Sequence, residues 1–177
     1  EEYSSANNWN SALTLYRKVL KSGTEPFAHD ALRALCERDL RKNRTGNGSY
    51  LKIFAQRYPG DTLSGSALWQ EGRSMLRRSP SEAMNLLEHS ISLFPKGDDS
   101  AACRFWIMKI RLNKGDGAGA SQMLADMILY NPDSSYTWRA IESRLPSMTQ
   151  DNLLDEFRKS MNHGEVRGVI LSHTLLY

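Results

Sequence analysis

Two stretches, AMNLLEHSISLFP at residues 83–95 and ASQMLADMILYNP at residues 120–132, decide the fold class of this chain. Each begins with alanine, ends with proline and carries apolar side chains at helical spacing, and the second lies 37 residues after the first. The same offset carries Leu68-Trp69 onto Phe105-Trp106. A period of this size is typical of arrays of paired helices.

The apolar pattern predicts helices throughout. Ala120, Leu124, Met127 and Ile128 occupy positions i, i+4, i+7 and i+8, which share one helix face. The prolines end these helices because proline cannot continue the hydrogen-bond ladder. No alternating strand pattern is present, so we predict an all-α chain, an α–α superhelix forming a single domain over 1–177, with its best-matched repeats at 61–97 and 98–134. Further helical segments are predicted at 12–20, 27–41, 50–58, 67–76, 100–112, 135–145 and 151–161.

Three local features sharpen this prediction. Gly72 suits a crossing where a side chain would hold two helices apart. Ser79, Pro80 and Glu82 have the order of a capping box. Asp98-Asp99 precede a predicted helix and are interpreted as its N-cap and a dipole partner, not as a catalytic pair.

Composition excludes several classes of protein. The chain has 177 residues, 40% hydrophobic and 24% charged, which is ordinary for a globular domain. A net charge of +3 does not by itself indicate nucleic acid binding, and no apolar run is long enough to span a membrane. The first residue is Glu1, so we expect a mature chain from which any signal peptide or lipid anchor has been removed.

The spacing of small, aromatic and proline residues resembles the tetratricopeptide repeat, although 37 exceeds the usual period of 34. A closer resemblance runs from about residue 58 to residue 145. The aromatic pair Phe105-Trp106, a Lys-Gly-Asp turn at 114–116, the Pro-x-Ser-x-Tyr step at 132–136 and Arg144-Leu145 follow in the order seen in the superhelical domain of soluble lytic murein transglycosylases.

This resemblance implies a periplasmic protein that acts on peptidoglycan. The catalytic domain of that family carries a Glu-Ser pair followed by a Gly-Leu-Met-Gln stretch. The only Glu-Ser here, Glu142-Ser143, lies inside a predicted helix and has no such stretch after it. No catalytic residue is therefore carried over, and any catalytic domain is expected outside this chain.

Few residues suggest chemistry of their own. His29, His89, His163 and His173 lack the spacing of metal ligands, and Cys36 and Cys103 form no Cys-x-x-Cys pair. Gly115, Gly117 and Gly119 follow no strand, so they do not form a phosphate loop. We expect no metal, no cofactor and no enzymatic activity in this chain.

The candidate interaction surface is a basic stripe within residues 33–57. This segment contains seven basic residues and only two acidic ones, Glu37 and Asp39. The 37-residue repeat does not show the basic or base-stacking residue once per unit that RNA-binding repeats require, so no nucleic acid partner is expected. Trp138 is also a candidate for this surface, because neither Trp69 nor Trp106 occupies the corresponding position in its repeat. The predicted surface comprises Arg33, Arg38, Arg41, Lys42, Arg44 and Trp138.

Two hypotheses of function follow. The first is a non-catalytic helical-repeat scaffold that presents a surface to glycan strands or a protein partner in the cell envelope. The second is a stand-alone tetratricopeptide-like adaptor between proteins.

Overall fold

The computed structural model describes residues 9–97 and 99–144. This described part consists of eight helices joined by turns and contains no β-strand, so the all-α prediction is confirmed. The helices are α1 (Trp9–Ser22), α2 (Phe27–Arg41), α3 (Leu51–Arg57), α4 (Leu63–Met75), α5 (Pro80–Leu93), α6 (Ser100–Asn113), α7 (Gly117–Tyr130) and α8 (Ser135–Arg144).

Most predicted boundaries agree with the structure. The segment 27–41 coincides with α2, while 50–58, 100–112 and 135–145 match α3, α6 and α8 to within one residue at each end. Helices α5 and α7 end just before Pro95 and Pro132, as expected. The predicted helix over 151–161 lies outside the described residues.

One turn geometry recurs before α4, α6 and α8. In each case a backbone amide donates to the carbonyl three residues earlier: Asp61 to Tyr58 at 3.0 Å, Gly97 to Phe94 at 3.0 Å and Ser134 to Asn131 at 3.1 Å. A proline follows each carbonyl residue. These turns begin at residues 58, 94 and 131, so their spacing is 36 and then 37.

A buried hydroxyl stands six residues after the start of each turn. Ser64 Oγ donates to the Tyr58 carbonyl at 2.7 Å, and Thr137 Oγ1 donates to the Asn131 carbonyl at 2.6 Å. The third hydroxyl, of Ser100, donates to Asn131 Oδ1 at 3.0 Å instead. The hydroxyls of Ser64 and Thr137 therefore bind a turn to the helix that follows it, whereas Ser100 binds α6 to the turn before α8.

The turns also place aromatic residues at matching positions of α4 and α6. Trp69 and Phe105 each stand eleven residues after the start of a turn, and both are 9% exposed. The expected pairing of Trp69 with Trp106 is therefore off by one residue, because the first two turns are 36 residues apart.

Consecutive helices pack against each other, and the core is divided among them. One cluster joins α2, α3 and α4 around Phe54, a second joins α4, α5 and α6 around Leu87, and a third joins α6, α7 and α8 around Met108. Neighbouring clusters share half-buried side chains such as Trp106 and Tyr136.

Two expectations about the helix faces need correction. Leu15, placed in the apolar stripe of α1, is 57% exposed, because the side of α1 that carries it is not covered in the described part of the chain. Ser79 and Asp99 occupy the N-cap positions of α5 and α6, but neither side chain accepts a hydrogen bond from its helix. Asp99 Oδ2 accepts the hydroxyl proton of Ser66 at 2.5 Å instead.

In the part of the chain that the structure describes, every helix is too short or too polar to cross a bilayer.

Candidate functional site: a basic groove at the α4–α5 turn

Among the described residues, carboxylates lie within 4.0 Å of four of the five predicted basic residues, all except Lys42. Arg33 Nε donates to Glu37 Oε1 at 3.2 Å, and its Nη1 donates to Asp61 Oδ2. Burial alone would raise the pKa of Asp61, but hydrogen bonds from the Leu63 amide, Arg33 and His29 outweigh it, and the pKa of Asp61 is lowered. The hydrogen bond to Asp61 raises the pKa of Arg33. Arg33 therefore serves the contact between α2 and the turn before α4.

Two further members of the stripe converge on a buried carboxylate. Arg38 is only 9% exposed, and its Nη1 lies 3.9 Å from Asp39 Oδ1. Arg44 Nε lies 4.0 Å from the same oxygen. The other Asp39 oxygen accepts the Tyr50 amide at 2.8 Å. Arg38 is part of the interior, so it offers no guanidinium to a partner.

The other predicted interaction residues remain on the surface. Arg41 is 63% exposed and lies 3.9 Å from Glu37, and Lys42 is exposed at the end of α2. Trp138 is half-buried against the cluster of α6, α7 and α8. The interaction surface stays a prediction, and its exposed cations are Arg41, Lys42 and Arg44.

A groove of about 810 Å³ lies elsewhere, between the α4–α5 turn and the second half of α6. Its floor is apolar and is formed by Met75, Leu76, Trp106 and Ile110. The volume falls within the range of small-ligand sites. Five cationic side chains line the groove, together with the carboxylate of Glu82: Arg73, Arg77, Arg78, Lys109 and Lys114.

These five cations lack acidic partners. Among the described residues, none of them lies within 4.0 Å of a carboxylate oxygen. The Arg73 guanidinium lies over the Trp69 ring at 5.9 Å, and Lys109 Nζ lies over Phe105 at 5.7 Å. Such contacts hold the cations in place without cancelling their charge. The groove is thus a concentration of positive charge beside an apolar floor.

The N-terminal turn of α5 also borders the groove. Pro80 occupies the first turn and has no amide proton to donate. The first turn of α5 has no side-chain cap and carries Glu82 as its acidic residue, and Ser79, Pro80 and Glu82 line the groove beside Arg77 and Arg78. Lys114 Nζ reaches this turn from α6 and donates to Ser81 Oγ at 3.3 Å.

Glu71 holds the wall of the groove opposite α6. This carboxylate is 2% exposed and accepts the Gly46 amide at 3.0 Å and the hydroxyl of Ser49. Thr45 and Gly46 line the groove. A buried charge is stable only when it is hydrogen-bonded, so Glu71 fixes the loop after α2 to α4.

The described residues offer little chemistry beyond binding. They contain no group of three or more His, Cys, Asp or Glu that could hold a metal ion. Burial raises the pKa of both thiols, Cys36 and Cys103, to about 12. A thiol with such a pKa is almost wholly protonated at neutral pH, which makes it a poor nucleophile. The cations and apolar side chains that line the groove suit an anionic, partly apolar ligand.

Sequence reasoning missed this groove, although a signal was present. Arg73, Arg77 and Arg78 fall within six residues at the end of a predicted helix. The stripe at 33–57 holds more basic residues than this segment, so the interaction surface was predicted in the stripe. Only the fold reveals that Asp61 and Asp39 neutralise much of that stripe.

Comparison of the chain with protein-family models, curated proteins and solved structures finds no match.

Proposed function

We propose that this chain is a non-catalytic helical-repeat scaffold that binds peptidoglycan strands in the groove at the α4–α5 turn. In this proposal the helices form a tetratricopeptide-like superhelix, similar to the accessory domain of a periplasmic lytic transglycosylase. The observation that carries the proposal is the set of five cations around an apolar floor that have no carboxylate within 4.0 Å among the described residues.

The recurring turn supports the repeat character of the scaffold. Turns with the same hydrogen bond start at residues 58, 94 and 131, each with a buried hydroxyl six residues later. Packing between consecutive helices is what a repeat array requires, since each unit buries its apolar face on its neighbours.

Co-sedimentation with purified sacculi tests the proposal. The chain should pellet with sacculi at low salt, and retention should fade as salt screens the charges. Arg77→Glu with Arg78→Glu should weaken retention about tenfold, because two exposed ion pairs of up to about 1 kcal/mol each are lost. No retention of the wild-type chain would refute the proposal.

A matched variant separates the groove from the predicted stripe. Arg41→Glu with Lys42→Glu makes the same change in charge on exposed residues at the end of α2. Retention near the wild-type level in this variant would place binding in the groove, whereas loss of retention here and not in the groove variant would place it in the stripe. Release of soluble muropeptides by this chain alone would contradict its assignment as non-catalytic.

The adaptor hypothesis is a second candidate, and the apolar floor favours it. Leu76, Trp106 and Ile110 would accommodate apolar side chains of an acidic protein segment. An adaptor would ignore sacculi and retain a discrete protein through the same arginines.

A further inference from the structure

We infer that the groove recognises the carboxylates of the peptide stems of peptidoglycan, and not the sugars of the glycan strand. This inference rests on the proposed function and specifies its ligand chemistry. It follows from the charge of the groove compared with the charge of the two parts of the polymer.

The sugar backbone of peptidoglycan offers little for the groove to bind. Its units carry hydroxyl and acetamido groups, and the lactyl carboxyl group of muramic acid is consumed in the amide bond to the stem. A neutral strand would leave five groove cations without partners. The peptide stems carry the free carboxylates of the polymer.

The arrangement of the cations suits carboxylates. Arg77 and Arg78 project from the exposed turn between α4 and α5, and Lys109 and Lys114 line the groove from α6. A guanidinium group binds a carboxylate through two parallel hydrogen bonds, and an ammonium group acts as a point charge. A ligand in the groove would therefore meet cations from two sides, with the uncapped start of α5 beside them.

The aromatic residues are poorly placed for sugar stacking. Trp106 is half-buried and stands edge-on to Phe105, with ring centroids 5.6 Å apart. Phe105 and Trp69 are each 9% exposed, and cations already lie over their rings. The floor of Leu76, Trp106 and Ile110 instead suits methyl groups and short aliphatic chains, which stems provide through alanine and the diamino acid.

Chemical modification of sacculi tests this inference with the intact polymer. Carbodiimide and glycinamide convert the stem carboxylates to neutral amides, and acetic anhydride acetylates the stem amines while leaving the carboxylates. Retention of the wild-type chain should fall about tenfold on amidated sacculi, to the level of the Arg77→Glu, Arg78→Glu variant on untreated sacculi. Acetylated sacculi should retain the chain at least as well as untreated ones.

The outcomes distinguish the two proposals. Equal retention on amidated and untreated sacculi would overturn the recognition of carboxylates and leave peptidoglycan binding standing. No retention on any sacculi, with binding to poly-L-glutamate in its place, would overturn both and identify an acidic protein segment as the occupant. The Arg41→Glu, Lys42→Glu variant should follow the wild-type chain on every preparation, which confines the effect to the groove.

Discussion

Gly72 of α4 lies directly against Leu87 of α5, so that a Cβ atom at position 72 would come within 2.8 Å of Leu87 Cδ2. The same atom would lie 3.3 Å from the carbonyl oxygen of Ala83. Leu87 and Ala83 are both fully buried, so neither can move aside easily to make room for a larger side chain at position 72. The prediction that Gly72 marks a close helix crossing is confirmed.

Gly72→Leu should destabilise the protein by about 3 kcal/mol, because overpacking forces α4 and α5 apart. The measurement is the free energy of unfolding from urea titrations followed by circular dichroism. Gly60→Leu is the matched control, since a Cβ atom at position 60 would meet nothing within 4 Å. Equal losses in the two variants would show that the close crossing does not limit stability.

Ser64→Ala should cost about 1 kcal/mol, because the part-buried Tyr58 carbonyl loses its side-chain donor and keeps only the Asp61 amide. Ser92→Ala removes a similar bond, from Ser92 Oγ to the His89 carbonyl at 2.8 Å, but on an exposed surface. The control should change the free energy of unfolding by less than about 0.5 kcal/mol. An unchanged free energy of unfolding in Ser64→Ala would show that the turn hydroxyl does not contribute to stability.

Asp61→Asn should destabilise the protein by about 2 kcal/mol at pH 7, because Arg33 loses its charged acceptor. The folded-state pKa of Asp61 is lowered below the usual value of 3.8, so its contribution to stability is full above about pH 5 and declines as the pH falls through the folded-state pKa. The difference in unfolding free energy between wild type and variant should therefore shrink between pH 5 and pH 3.

The control for this pH dependence is Glu142→Gln, which neutralises an exposed carboxylate on α8. Urea titrations at pH 7, 5 and 3 should give this variant nearly the stability of the wild type at each pH. A difference for Asp61→Asn that stays constant down to pH 3 would refute the role of its ionisation.

Neither thiol should react with a disulfide reagent in the folded protein at pH 8. Cys36 and Cys103 are fully buried, and burial raises the pKa of each to about 12. Labelling followed by absorbance should be slower than in guanidinium chloride by about a thousandfold or more, because it requires opening of the fold. Rapid labelling of one thiol would show that its helix opens locally.

The sequence predicted the helices well where one apolar stripe decides them, as in α2. It failed at the start of α4, which begins at Leu63, four residues before the predicted boundary. Gly65 is a poor helix former, but its carbonyl accepts the Ser90 hydroxyl at 3.0 Å and its bare Cα faces Phe94. This contact with α5 outweighs local propensity, and a local pattern does not show it.

The candidate site was harder to predict than the fold. The charges at Arg73, Arg77 and Arg78 are visible in the sequence, but the opposing Lys109 and Lys114 come from a helix two elements later. Whether a cation is neutralised depends on contacts such as that of Arg33 with Asp61, 28 residues away. Counting charge in a sequence window therefore identified the stripe, but it could not find the cations that the fold gathers around the groove.

The walls of the groove come from residues between Thr45 and Lys114, with Glu71 fastening the loop at one side and α6 closing the other. Three helices, α4, α5 and α6, and the loop after α2 must be folded together before the groove exists. Because only the folded chain can bind the ligand, ligand binding stabilises the native state. A ligand present at one hundred times its dissociation constant would add about 2.7 kcal/mol to the free energy of unfolding. A rise in melting temperature could thus identify a ligand even when no reaction product exists to detect.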